Sequence, residues 1–243
     1  MKPKSGSQPP RAPDPRTSVE STRSLTGAVH MQGLLHELRT PVQAVIGHAS
    51  LFDYTQGPEA ARERIQRIHQ GGIWLRLIVE DLALRDGLAS GAILIRPSWV
   101  PLAPLLDEVI DEFSDPFPKR LRARVQPAMV WADPRYLTTV LSFLIHNALR
   151  LSAEEPRNAV SVRGENLARG RYRLSVIQAI PLIPLAQAES LFAGADGFPV
   201  AKRLPKQGLG LGLQPGREVL RRCDGDLVYR TRPTRFVLSL KER

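Results

Sequence analysis

One histidine of the sequence has neighbours suited to phosphoryl chemistry. His36 is followed at once by Glu37, and Arg39 and Thr40 come close behind in a stretch with helical periodicity. A neutral imidazole nitrogen on an exposed helix is nucleophilic near neutral pH and can accept a phosphoryl group. A neighbouring carboxylate can hold the ring tautomer and take its proton. The residues alone leave two interpretations, a phosphoryl acceptor and an ordinary exposed helix position.

Two further places could hold a phosphorylated ligand. Asn147 lies within an apolar stretch, and its amide oxygen is the hard ligand that Mg²⁺ prefers. Gly208, Gly210 and Gly212 alternate with leucines, and glycines at this spacing let backbone N–H groups approach an anion closely. Taken alone, the asparagine also fits a structural role and the glycines also fit a flexible turn.

Two amphipathic stretches must position the histidine. Apolar residues recur at three- and four-residue steps over 26–52 and again over 65–84, and the residues 56–58 separate the two stretches. The pattern predicts a helical hairpin whose second helix ends at Gly87. Because two helices alone cannot enclose a core, it also predicts a homodimer in which two hairpins form a four-helix bundle.

After Gly91 the sequence combines short strand-like patterns with helical patterns. It predicts strands at 92–96, 122–126, 129–132, 160–163, 172–177, 226–231 and 236–240, and helices at 102–113, 134–151, 186–192 and 215–222. This order favours an α/β sandwich, one sheet with helices on one face. His146 is expected at the surface of its helix.

Length and composition divide the chain further. Its 243 residues suffice for two modest domains, and residues 1–25 contain five prolines and too little apolar surface for a core. We therefore predict a flexible tail at 1–25, a helical domain at 26–88 and an α/β domain at 92–243. The single cysteine excludes an intramolecular disulfide. No window approaches the roughly 18 apolar residues of a membrane span, so we expect a cytoplasmic protein.

The formal charge of +10 could attract nucleic acid, an acidic partner or an anionic membrane. It is spread through arginine-rich segments that also contain 24 acidic residues. The sequence shows neither a zinc-binding spacing nor a dense basic run nor an RNA-binding aromatic signature. We therefore expect a well-solvated basic surface and no nucleic-acid partner.

The string Leu35-His36-Glu37-Leu38-Arg39-Thr40-Pro41 resembles the phosphoacceptor box of two-component sensor histidine kinases. The resemblance implies that His36 is the phosphorylated residue, that Glu37 is the base that assists transfer, and that Thr40 orients water for dephosphorylation of the partner regulator. Pro41 would kink the helix just below the histidine, because it removes an internal hydrogen bond.

Two later motifs resemble the ATP-binding domain of the same family, whose fold is shared with gyrase, Hsp90 and MutL-type ATPases. The stretch 132–149 is similar to its asparagine box, which implies that Asn147 coordinates the Mg²⁺ of bound ATP. Gly208, Gly210 and Gly212 are similar to the second glycine box, which lies beside the nucleotide phosphates. The resemblance thus implies an α+β fold, a dimeric four-helix bundle followed by an α/β sandwich of the histidine-kinase ATPase type.

The sequence departs from the family at the base pocket. Gln178 stands where the family has an aspartate that accepts the adenine amino group, and Ile180 and Leu182 replace two glycines. Phe143 replaces a polar residue of the asparagine box. The loss of a charge-assisted hydrogen bond costs about 1 to 3 kcal/mol, or roughly one to two decades of ATP affinity.

The resemblance predicts a protein-histidine kinase that uses ATP to phosphorylate His36 and passes the phosphoryl group to an aspartate of a response-regulator receiver domain. A separate sensor protein is a possible further partner. One alternative is a degenerate transmitter without ATP use, which acts as a histidine phosphotransfer protein or as a regulator phosphatase. Another is a scaffold whose basic surface holds an acidic partner or DNA.

Overall fold

The computed structural model of the chain describes residues 38–51, 57–118, 120–152, 159–178, 185–192 and 212–243. His36, Glu37, Gly208 and Gly210 lie outside these ranges, as do the predicted tail at 1–25 and the base-pocket residues Ile180 and Leu182. None of the helices in the described ranges has the length and apolar character needed to cross a membrane.

The first two helices of the described ranges form a hairpin. Helix α1 covers residues 38–50 and helix α2 covers Gly57–Ser90. The helices approach closely at Gly71, where a Cβ atom would lie only 2.6 Å from Cγ2 of Val45. The predicted end of α2 at Gly87 is wrong. A Cβ there would lie 2.3 Å from Cδ1 of Ile93, so this glycine lets the following chain pass close to a helix that continues to Ser90.

Seven strands of the described chain form one sheet with the order β1-β3-β7-β5-β4-β2, and β6 pairs with β7. The strands are β1 (Ser98–Pro101), β2 (Leu121–Val125), β3 (Met129–Ala132), β4 (Val160–Leu167), β5 (Arg171–Ile177), β6 (Asp226–Thr231) and β7 (Thr234–Glu242). The pairing of β2 with β4 is parallel and the other pairings are antiparallel.

Helices cover one face of this sheet. They are α3 (Leu102–Ser114), α4 (Pro134–Leu151) and α5 (Leu213–Arg221), with a 3₁₀ helix at Leu185–Phe192. Their apolar side chains pack against alternate residues of the strands, such as Leu174 and Leu238, which are fully buried. The predicted α+β class, a helical hairpin followed by one sheet with helices on one face, is confirmed.

The strand predicted at 92–96 does not form. Its backbone donors are satisfied outside the sheet, because Ile93 N donates to Gly87 O at 3.1 Å and Arg96 N donates to Asp133 Oδ2 at 2.9 Å. Ile93 and Ile95 nevertheless pack against the core. The alternating apolar residues of this segment therefore pack against the core without pairing as a strand. Strand β1 begins at Ser98 instead.

Asp133 fixes the start of α4. Its carboxylate is 2% exposed and accepts hydrogen bonds from Arg135 N at 3.1 Å and from Arg96 N at 2.9 Å. Pro134 follows at the first helical position. A backbone N–H at this position has no partner within the helix, so the missing N–H of proline costs no hydrogen bond. One side chain therefore caps the helix and anchors the segment before β1.

Replacing Asp133 tests this double role. Asp133→Ala should lower the free energy of unfolding by about 2 to 3 kcal/mol, because two backbone donors lose a buried acceptor. Asp133→Asn keeps one acceptor oxygen and should recover about half of the loss. Urea denaturation of both variants measures the difference, and an Ala variant as stable as the parent would contradict the assignment.

Candidate functional site

Gly212 is the point where α2, α4 and α5 meet. It precedes α5 with a φ of 74°, which favours glycine. Its N–H donates to Asp81 Oδ1 of α2 at 2.7 Å. A Cβ at this position would lie 2.1 Å from Cδ2 of Phe143 on α4. Both the backbone angle and the available space therefore require glycine at the last position of the predicted glycine motif.

The predicted asparagine lies one helical turn beyond this contact. Phe143 and Asn147 are four residues apart on α4, so they share a face of the helix. Asn147 is buried, with 5% of its surface exposed. Phe143 is also buried and packs against Gly212. Asn147 and the end of the glycine motif therefore lie on the same side of α4. Phe143 fills the space between α4 and Gly212.

Gln178 stands directly after β5. It is 2% exposed, and its backbone N–H donates to Thr234 O at 3.0 Å. Helix α4 packs on the same strand, since Leu174 and Val176 belong to the core beneath it. A central strand of the sheet therefore positions Gln178. Ile180 and Leu182 lie outside the described residues.

Asp81 was not predicted and joins α2 to the start of α5. Its carboxylate is 3% exposed, and Oδ2 accepts a hydrogen bond from Arg85 Nε at 2.6 Å. Arg85 in turn donates to Oε1 of Gln214 at 3.3 Å. An anion at the N-terminal end of a helix is stabilised by the helix dipole and by the free N–H groups of the first turn. The only sequence signal was an Asp–Arg pair four residues apart on an amphipathic helix.

His146 is buried, which corrects the expectation that it lies at the helix surface. Its ring centroid is 6.2 Å from that of Trp74 on α2 and 6.4 Å from that of Phe113 on α3. Burial, together with the smaller effect of the positive charges of Arg150 and Arg76, lowers the pKa of His146 to about 3. The imidazole is therefore neutral at physiological pH and packs as a ring between three helices.

Further polar contacts hold α2 against α3. Arg76 forms an ion pair with Glu112, and Gln66 Nε2 donates to Asp115 O at 3.2 Å. Arg150 of α4 lies over the ring of Trp74, with 4.1 Å between its Cζ atom and the ring centroid. Together with Asp81 and His146, these contacts fix the second helix of the hairpin along the helical layer of the sandwich.

Thr40 lies in α1 and is half-buried, and Pro41 beside it is buried. They follow His36 in the sequence by four and five residues. In the described ranges, no three residues among His, Cys, Asp and Glu cluster in a way that could hold a metal ion.

Comparisons with known proteins agree with the motifs. Residues 30–86 match the family model of the His Kinase A (phospho-acceptor) domain. The chain is 24% identical over 213 residues to the signal transduction histidine-protein kinase BarA of Escherichia coli (strain K12), an alignment that covers 84% of this chain and 23% of BarA. It thus spans about a quarter of the length of that relative.

Solved structures of similar proteins share the fold. The histidine kinase AdeS of Acinetobacter baumannii is 18% identical with a TM-score of 0.53, over 85% of this chain and 96% of that one. The histidine kinase ThkA, solved in complex with the response regulator protein TrrA, is 18% identical with a TM-score of 0.52, over 92% of this chain and 63% of that one. These likenesses confirm the predicted arrangement of a helical region followed by an α/β sandwich.

Burial of His146 predicts a stability that depends on pH. The unfolded chain binds a proton at this residue below about pH 6.5 whereas the folded protein resists it down to about pH 3, so stability should fall as the pH falls through that window. The contribution of His146 should be about 2 kcal/mol between pH 7 and pH 5. Urea denaturation at both pH values measures it. His146→Leu should remove this part of the loss, and an equal loss in both proteins would contradict the assignment.

Removing the charge of Asp81 should loosen α5 from α2. Asp81→Asn leaves Arg85 without its carboxylate and weakens the bond from Gly212 N–H. Amide hydrogen exchange at Gly212 should accelerate by about 10- to 100-fold, the equivalent of roughly 1.4 to 2.8 kcal/mol. Asp86→Asn makes the same charge change at an exposed position of α2 and should leave that exchange rate unchanged. Equal rates in the two variants would refute the role of Asp81.

Proposed function

We propose that this chain is the transmitter region of a two-component histidine kinase, that it phosphorylates His36 with ATP, and that it passes the phosphoryl group to an aspartate of a response-regulator receiver domain. The observation that carries the proposal is the meeting of α4 and α5 at Gly212, which sets the predicted asparagine and the end of the glycine motif on one side of α4. We place the helical domain at 26–88 and the ATP-binding domain at 92–243.

The triphosphate would bind beside Gly208, Gly210 and Gly212, near the positive end of α5. Asn147 would provide one amide oxygen to Mg²⁺. One protein ligand fits this ion, because Mg²⁺ in nucleotide sites takes most of its oxygens from phosphates and water. The metal would neutralise charge on the transferring group. Gln178 would accept one hydrogen bond from the adenine amino group.

The chemistry belongs to the hairpin. A ring nitrogen of His36 attacks the γ-phosphorus of ATP, the bond to the β-γ bridging oxygen breaks, and ADP leaves. Glu37 takes the ring proton, so that the phosphorylated imidazole is neutral. In the second step the phosphoryl group moves from His36 to a receiver aspartate. Thr40 orients the water that later hydrolyses the aspartyl phosphate.

Exposed apolar side chains on the hairpin support a homodimer. Val42 is 38% exposed and Ile46 is 58% exposed on α1, and Ile65 and Val79 of α2 are more than half exposed. A second hairpin would cover such residues by forming a four-helix bundle. We further propose a cytoplasmic protein, for which the segment 1–25 and a separate sensor protein are two candidate routes of the stimulus.

Transfer of radiolabel tests the proposal. The purified chain incubated with Mg²⁺ and ATP labelled at the γ-phosphate should become labelled, and the label should be lost in acid, as expected of a phosphorylated imidazole. His36→Gln should lower labelling by at least about 100-fold, because it removes the nucleophile. His69→Gln makes the same change at an exposed position of α2 and should label normally. Undiminished labelling of His36→Gln would disprove the assignment of the acceptor.

A further inference from the structure

The sheet face turned away from the helices concentrates positive charge. Its outward positions alternate with the buried ones along each strand. Eight of these outward residues are cations, namely Arg122, Arg124, Arg163, Arg171, Arg173, Arg230, Arg235 and Lys241. Two are acids, Glu165 and Asp226. We use the name basic face for this set of ten residues.

Cations of the basic face stand directly opposite each other. Arg124 pairs with Arg163 across β2 and β4, and Arg230 pairs with Arg235 across β6 and β7. Arg171 pairs with Lys241 across β5 and β7. Directly opposed like charges destabilise a sheet. The arrangement therefore opposes folding slightly, and a bound anion would relieve the repulsion.

The acids of the basic face are already engaged. Glu165 lies 3.4 Å from Arg173, and Asp226 accepts hydrogen bonds from Arg217 and Arg221 of α5. Lys241 meets Asp224 at 3.2 Å. Arg171 donates hydrogen bonds to Asp224 O and to Ser239 Oγ. Within the described ranges, no ion pair holds the other five arginines, which are Arg122, Arg124, Arg163, Arg230 and Arg235. These guanidinium groups remain available to a ligand.

An open cleft of about 500 Å³ lies among these arginines. Arg124, Arg163 and Arg235 line it together with Ser175, which offers a hydroxyl group. Nε of Arg235 is buried and meets no acceptor in the described part of the chain. Guanidinium groups bind phosphate oxygens through paired N–H donors. The cleft therefore has the donors for a phosphate group. Glu165, which also lines it, forms an ion pair with Arg173.

Two tryptophans adjoin the charges on the same face. Trp131 pairs with Lys241 across β3 and β7, and Trp99 pairs with Trp131 across β1 and β3. Both are partly exposed, with ring centroids 5.2 Å apart. Proteins that bind single strands combine a basic track for the backbone with aromatic rings on which bases stack. The basic face and the tryptophan pair supply these two parts on one surface.

We propose that the basic face and the pair Trp99–Trp131 bind single-stranded nucleic acid. An acidic protein or an anionic membrane would also meet the charges. We favour nucleic acid because its phosphates would meet the arginines while its bases stack on the tryptophan pair. The site is separate from the proposed kinase chemistry and does not depend on it. The sequence favoured no nucleic-acid partner and left DNA as an alternative, because the arginines are scattered over five strands that only the folded sheet brings together.

Fluorescence anisotropy with a labelled single-stranded DNA of about 20 nucleotides, without ATP, tests the proposal. We expect micromolar binding at low salt, with an affinity that falls by a log–log slope of about −3 to −4 if five phosphates are contacted. Binding should also quench tryptophan fluorescence. Trp131→Leu should reduce both the quenching and, by about tenfold, the affinity.

A matched pair of variants separates the basic face from net charge. Arg163→Glu with Arg235→Glu should weaken binding by at least about 30-fold. Arg62→Glu with Arg67→Glu makes the same charge change at exposed positions of α2 and should weaken it by less than about threefold. Circular dichroism confirms that each variant is folded.

Three results would overturn the proposal. The first is equal weakening by the two double variants, which would mean attraction by net charge alone. The second is binding of polyglutamate of matched charge as tight as that of DNA, which would indicate an acidic protein partner. The third is binding to phosphatidylserine vesicles without measurable binding to DNA, which would indicate a membrane surface.

Discussion

The backbone amide of Gly212 is the constraint on which the described site depends. Its N–H is held by a buried carboxylate of α2, and the space beside its Cα is filled by Phe143 of α4. Any side chain at this position would displace α4 or break the start of α5. Gly212 therefore fixes the end of the glycine motif relative to α4, which carries Asn147, and to α2 of the hairpin. A displacement of α2 would remove the hydrogen-bond acceptor of the Gly212 amide.

Periodicity and local motifs predicted much of this arrangement. Strands β3 and β6 and helix α4 have the predicted bounds, because their apolar patterns and caps are local. Asn147 and Gly212 were found by motif. The bond between Asp81 and Gly212 joins residues 131 positions apart, so no local pattern could reveal it. Burial of His146 was missed for the same reason, since Trp74 covers it from another helix.

The concentration of charge on the basic face could not be predicted from local sequence patterns either. Along the chain each of its arginines alternates with apolar residues and looks like the solvated side of an ordinary strand. Only the strand order places Arg124 beside Arg163 and Arg230 beside Arg235. The overall positive charge was visible from composition, whereas its concentration on one side of the sheet is a property of the topology.

Calorimetric titration with Mg²⁺ and ATP tests the central claim, that the sandwich holds a nucleotide beside Asn147 and the glycine motif. It measures binding directly, so a missing stimulus cannot mask the result. We predict binding with a dissociation constant in the micromolar range, and about tenfold tighter binding for Gln178→Asp, which restores the charged acceptor for the adenine amino group. Absence of detectable binding by both proteins up to millimolar ATP would contradict it.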